Sequence, residues 1–171
     1  MKSRIIALSA GILGFAATSH SQATVTATAT ATIVTPISIT KNTDMNFGNV
    51  AVQAATGGTV VLAPAGTRTR TSGVTLPATA GTVTAAAFTV NGTGTYTYAI
   101  TLPTSVTLTH SGGAGTGTMS ADTFTSTPSG TGALTAGTQN IAVGATLNVA
   151  AAQAPGVYVS SPGFDVTVNY N

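Results

Sequence analysis

Residues 24–34 read TVTATATATIV: threonine fills every even position from Thr24 to Thr32, and Val25, Ala27, Ala29, Ala31 and Ile33 fill the odd ones. A period of two puts successive side chains on opposite faces of an extended chain, so this stretch is a ribbon with one apolar face and one hydroxyl face. The apolar face is thin, because three of its five side chains are single methyl groups. Such a face cannot nucleate a core; it suits a groove already lined with larger residues. The ribbon is therefore expected to insert into a neighbouring copy of the same chain.

The segment before it has the form of an export signal. Lys2 and Arg4 precede an apolar run over residues 5–17, and Ser21 and Ala23 supply a small-residue exit. Residues 1–23 are read as a secretory signal peptide cleaved after Ala23, with Ser21 the alternative. The apolar run is too short to span a bilayer, and no later segment is long enough to try. Residues 24–171 then form one domain of ordinary size, opened by a donor strand over 24–35 and continued by a sandwich over 36–171.

With the signal removed, Lys41, Arg68 and Arg70 balance Asp44, Asp122 and Asp165. A chain so poor in charge has no electrostatic footprint for nucleic acid or an acidic membrane surface. It also lacks the like-charge repulsion that keeps monomers apart. There is no cysteine, which excludes thiolate metal sites and leaves the fold to hydrophobic burial alone.

Thirty-six residues are threonine, and glutamate and tryptophan are absent. Threonine is β-branched and favours a pleated surface, so the chain is expected to be all β. After Pro36 interrupts the ribbon, Ile37 and Ile39 resume the same phase up to Lys41. Asn42-Thr43-Asp44 signals a turn, and Met45 and Phe47 alternate as a short strand up to a turn or bulge at Gly48. A compact apolar strand covers residues 59–63. Residues 67–71, TRTRT, put both arginines on one face; a grip on an anionic ligand is weighed against a solvated, charge-protected edge strand, and the latter is favoured.

Between Val83 and Val90 the apolar phase slips by one residue, which predicts a bulge in residues 85–87. Asn91-Gly92 is a hairpin signal; the Asn91-Gly92-Thr93 triplet for N-glycosylation is a chance match in so threonine-rich a chain. Tyr96, Tyr98, Ile100 and Leu102 form the clearest central strand. Val106 and Leu108 follow, with His110 at the rim of that face. Residues 111–118 form a glycine-rich loop, Met119 and Phe124 mark a further strand, and Ile141, Val143, Ala145, Leu147 and Val149 define a long one. Phe164, Val166, Val168 and Tyr170 alternate to the end of the chain. Eight to ten strands punctuated by Gly, Pro and Asn suggest a β-sandwich. A threonine-faced solenoid would need a fixed repeat, which the T-x-T runs lack.

Chemistry is sparse. Asp44, Asp122 and Asp165 are far apart in the sequence, His110 is the one histidine outside the signal, and there is no nucleophile elbow or metal-ligand cluster. No enzyme activity and no cofactor is expected.

Two motifs carry a family resemblance. Ile37-Ser38-Ile39-Thr40 leading to Met45-Asn46-Phe47-Gly48-Asn49, together with the ending PGVY…FDVTVNYN over residues 155–171, resembles subunits of chaperone–usher pili, especially the archaic spore-coat-U-like branch. It is closer still to a set of exported bacterial proteins grouped only as a domain of unknown function. These pilins end in an alternating strand with a penultimate tyrosine, here Tyr170; the disulfide many of them carry is absent.

The resemblance implies an incomplete immunoglobulin-like sandwich lacking its last strand. A periplasmic chaperone supplies that strand first, and the N-terminal extension of the next subunit then replaces it as an outer-membrane usher assembles the polymer. Donor positions would be Val25, Ala27, Ala29, Ala31 and Ile33, and the acceptor edge Phe164, Val166, Val168 and Tyr170. The expected function is a structural subunit of a secreted surface filament serving adhesion or biofilm formation. The alternative is a self-complete sandwich acting as a monomeric adhesin or glycan-binding module, with residues 24–34 folded into its own sheet.

Overall fold

The computed structural model describes residues 21–112 and 117–171. The signal-peptide expectation, apart from its last three residues, lies outside them. The chain divides into two units, residues 1–32 and residues 33–171. In the first unit, residues 21–32 are exposed and form no strand.

The second unit is all β, with no helix among the described residues. Its thirteen strands are β1 (Ser38–Thr43), β2 (Ala51–Val52), β3 (Gly58–Leu62), β4 (Arg68–Arg70), β5 (Val74–Thr75), β6 (Ala86–Asn91), β7 (Thr97–Thr101), β8 (Ser105–His110), β9 (Thr118–Thr127), β10 (Thr131–Ala133), β11 (Thr138–Val149), β12 (Tyr158–Val159) and β13 (Thr167–Tyr170). That exceeds the eight to ten expected, because two- and three-residue strands such as β2, β5 and β12 leave too little alternation to be seen in sequence.

The spine is β11. Its inward residues Ile141, Val143, Ala145, Leu147 and Val149 are all buried, as their unbroken alternation predicts. Along one edge it pairs first with β6 and then with β3; along the other it pairs with β9. The large sheet runs β1-β6-β11-β9-β8-β12, with β3 and β4 attached beside β11. A second sheet, β10-β7-β13, and a two-stranded β2-β5 pair complete a sandwich-like, curled arrangement. Two cores lie inside it. One gathers Phe88, Val90, Tyr98, Ile100, Ile141 and Val168; the other gathers Phe47, Val60, Leu62, Val74, Leu147 and Val149. Burying a side chain of the Val, Leu or Ile class contributes about 1.5–3 kcal/mol.

Register explains the phase slips. In β1, Lys41 faces Phe88 while Thr43 faces Ala87, so Asn42 is the extra residue of a bulge. The bulge expected in residues 85–87 is absent: β6 begins at Ala86, already in the even phase, and the slip falls in the irregular chain before it. In β9 a second irregularity faces residues 144–146 of β11. Thr123 there adopts φ +48°, which switches the inward phase from Ala121 to Phe124. The Asn91-Gly92 hairpin is also overturned. β6 belongs to the large sheet and β7 to the second one, so these residues carry the chain between sheets.

The arginine strand differs in part from its expectation. β4 is an edge strand, paired only with β3. Its arginines nevertheless serve the backbone: Arg68 donates to the Phe47 carbonyl and, at 3.0 Å, to that of Asn49, and Arg70 donates to the Val74 carbonyl at 3.0 Å.

Candidate functional site: an open cleft and a pinned exit

Each of the two larger sheets ends in a strand whose outer edge has no strand partner among the described residues. β1 is the terminal strand of the large sheet, and β13 is the terminal strand of the second. At the Lys41 end of β1 opens a cleft of about 1120 Å³, whose lining includes residues 43–52, residues 153–160 and Phe164 but no residue of β13.

The first wall is irregular chain held in place by polar side chains. Asn46 pairs with Thr84 through both main-chain bonds, at 2.8 and 3.0 Å. The Asn46 carboxamide oxygen accepts from the Gly48 N–H at 2.8 Å, and Gly48 turns the chain at φ +69°. Met45 and Phe47 thus do not form the expected strand, although they keep its alternation and their side chains pack inward.

The second wall hangs on β8 through β12. The Tyr158 hydroxyl donates to the Ala154 carbonyl at 2.8 Å and accepts from the Gln153 amide at 2.8 Å. His110, at the end of β8, meets the Tyr158 ring edge-on at 5.1 Å. Its Nε2 lies 3.1 Å from the Pro155 carbonyl, and its Nδ1 is buried without a partner among the described residues. Gly156 is required by this packing: a Cβ there would lie 2.0 Å from His110 Nε2, at φ +151°. The histidine is thus a wall-packing residue rather than a solvated rim residue.

Phe88 of β6, Leu108 of β8, Met119 of β9, and Leu147 and Val149 of β11 all reach the cleft, so it opens onto core side chains. Its charged lining residues, Lys41 and Asp44, pair with each other at 2.6 Å. The cleft therefore offers an occupant core side chains and polar groups but no unpaired charge.

The structure divides the expected acceptor residues. Phe164 lines the cleft and packs on Phe124 at 5.0 Å between ring centroids. Val168 is buried in the first core, paired with Ile100 across β13 and β7, and Val166 packs against that core. Tyr170 does something else. Its hydroxyl accepts from the Thr93 N–H at 2.7 Å and donates to the Thr35 carbonyl at 3.0 Å. The Thr35 N–H in turn donates to Thr93 Oγ1 at 2.9 Å. Gly92 admits this arrangement, since a Cβ there would lie 2.2 Å from the Tyr170 hydroxyl.

Of the donor positions, Val25 and Ile33 are 97% and 96% exposed, and Ala27, Ala29 and Ala31 are exposed as well. Their apolar face is unspent. Sequence reasoning missed the cleft-lining Phe88, Leu147 and Met119, whose alternation marks them as core without saying which core positions border a cleft. Met45 and Phe47 were visible as an alternating pair.

Among the described residues no group of three or more His, Cys, Asp or Glu side chains is placed to hold a metal, and no helix is long and apolar enough to cross a membrane. No curated protein matches the chain, and no solved structure does. Residues 37–170, which hold the strands, the cleft lining and the Thr93–Tyr170 contact, match the model of a family described as a domain of unknown function (DUF4402), and the chain belongs to that family.

Proposed function

We propose that this chain is the structural subunit of a secreted surface filament, in which the ribbon of one copy fills the open cleft of the next. One observation carries the reading: a single chain presents both an uncharged alternating ribbon with an exposed apolar face and an open cleft that reaches core side chains at the Lys41 end of β1, a strand whose outer edge has no partner among the described residues. The fit is one of size and polarity. Eleven extended residues at about 3.3 Å each reach roughly 36 Å, the scale of a whole sandwich. Methyl groups at Ala27, Ala29 and Ala31 suit a cleft whose floor already holds Phe, Leu and Met, and Val25 and Ile33 supply larger ends. The threonine face would be left to solvent. Strand addition supplies main-chain hydrogen bonds to edges that otherwise invite aggregation. Because the donor and acceptor patches differ, the contact is head-to-tail and propagates as a filament. Such an open cleft calls for protection during export, the role of a periplasmic chaperone, with an outer-membrane usher ordering assembly. Adhesion or biofilm formation is the service such a filament would render.

Deleting residues 24–34 tests the reading. The truncated chain is expected to fold, alone or with a chaperone, and to form no filaments in electron micrographs or by sedimentation. Filaments that persist without the ribbon, or a truncated chain that cannot fold even with a chaperone, would refute it.

A further inference from the structure

A molecule that carries both ribbon and cleft could fill its own cleft and stop there. Building on the filament reading, we propose that the Thr35–Thr93–Tyr170 cluster is a latch that commits the ribbon to a second copy of the chain. The argument lies in chain direction. β1 runs from Ser38, paired with Asn91, towards Lys41 at the cleft. β13 runs the other way, from the side of Phe164 to Tyr170, whose hydroxyl meets Thr35 and Thr93. Thr35 is therefore fastened at the pole away from the cleft, and the residues before it would have to reverse within positions 33–36 to run back into that cleft.

Two features oppose the reversal. Pro36 fixes its own φ and holds Thr35 to extended conformations. The two main-chain groups of Thr35 are already engaged, the N–H with Thr93 Oγ1 and the carbonyl with the Tyr170 hydroxyl. Self-filling would unfasten the latch, whereas a ribbon arriving from another copy enters at the far pole and leaves it intact.

The test compares the full-length chain with Tyr170→Phe and, independently, Pro36→Gly, each refolded at low concentration and then concentrated. Sedimentation velocity gives the monomer fraction, and thermal melting shows whether that monomer is filled. Tyr170→Phe removes both bonds of the hydroxyl, and the loss of its hold on Thr35 is expected to raise the share of monomer that resists assembly by about tenfold. That monomer should melt above the chain lacking residues 24–34, because its cleft is occupied. If wild type assembles and both variants partition as it does, the latch is refuted; so it is if their extra monomer melts no higher than the deletion. A wild-type chain that never assembles refutes the filament reading underneath, a separate result.

Discussion

Gly92 and Tyr170 offer a quantitative probe of the latch, because one added atom collides with one identified hydroxyl. In Gly92→Ala the new Cβ would sit 2.2 Å from the Tyr170 hydroxyl and 2.9 Å from Leu134 Cδ1. The backbone at Gly92 lies outside the left-handed region, so alanine carries no conformational penalty and the cost is steric. The hydroxyl must retreat by about an ångström, which breaks its bonds to the Thr93 N–H and the Thr35 carbonyl. At about 0.5–1.5 kcal/mol for each bond, and more for a part-buried N–H left unpaired, Gly92→Ala should destabilise by about 2–4 kcal/mol. Tyr170→Phe loses the same two bonds without the clash and should cost about 1–3 kcal/mol. The two costs largely describe one event. The double variant should therefore fall short of their sum by at least about 1 kcal/mol. Urea titrations of the four chains, built on the ribbon-deleted background so that assembly does not intervene, measure the coupling. Each kcal/mol corresponds to about 2–4 °C in a domain of this size, so thermal melts give a second reading. Coupling below about 0.5 kcal/mol would mean that the added methyl does not act through the tyrosine hydroxyl, and the latch geometry would be wrong.

Other consequences can be read directly. Ala29→Asp should leave the thermal stability of the lone chain unchanged, since Ala29 is exposed, yet abolish filaments, because a buried unpaired carboxylate costs about 3 kcal/mol or more; Thr28→Asp, on the opposite face, should still assemble, and equal loss from both would refute the facing of the ribbon. Burial pushes the Tyr98 phenol above its usual value of 10.0, so the folded state holds that proton more tightly than the unfolded chain does. The resulting stability is fully present below pH 10 and lost as pH rises through the folded value. Urea midpoints between about pH 8 and 11 should show this decline, and Tyr98→Phe should flatten it at the cost of a hydroxyl that donates to Gln139 at 2.7 Å. Gly156→Ala should displace the His110 ring and cost about 2 kcal/mol in a urea titration, and the cost should shrink in a His110→Ala background, where the colliding ring is gone.

How far the fold could be read depended on how long each alternation ran unbroken. Residues 141–149 announced β11 because five inward positions in succession are apolar, and in a central strand nothing competes with burial. The central strand around Tyr98 and Ile100 was equally legible. Asn91-Gly92 misled because its chemistry permits a tight turn without requiring one; what calls for glycine at 92 here is the hydroxyl of Tyr170, 78 positions away. The slip before Phe88 was real, but it falls in the irregular chain ahead of β6, and the bulge of this ladder lies in β1 at Asn42, where no phase change in residues 83–90 announces it.

The same limit explains the cleft. A sequence reports that Phe88, Leu147 and Met119 are apolar and in phase; whether anything covers them depends on how far β13 and the β2–β5 pair extend over the sheet. β13 keeps only four ladder residues, and the alternation of Phe164 and Val166 continues before it without a strand partner. That is where the alternating pattern promises more sheet than the chain supplies. The ribbon shows the converse, alternation with no sheet to receive it. An apolar face that its own fold leaves unused costs solubility unless something covers it, and in a chain whose charges cancel there is little repulsion to protect it. On the filament reading, the surplus pattern of residues 24–34 and the unpartnered alternation at Phe164 and Val166 match in kind: both are apolar on one face and free of unpaired charge. A partner of unrelated chemistry would have to reproduce these properties, whereas a second copy of the chain already has them.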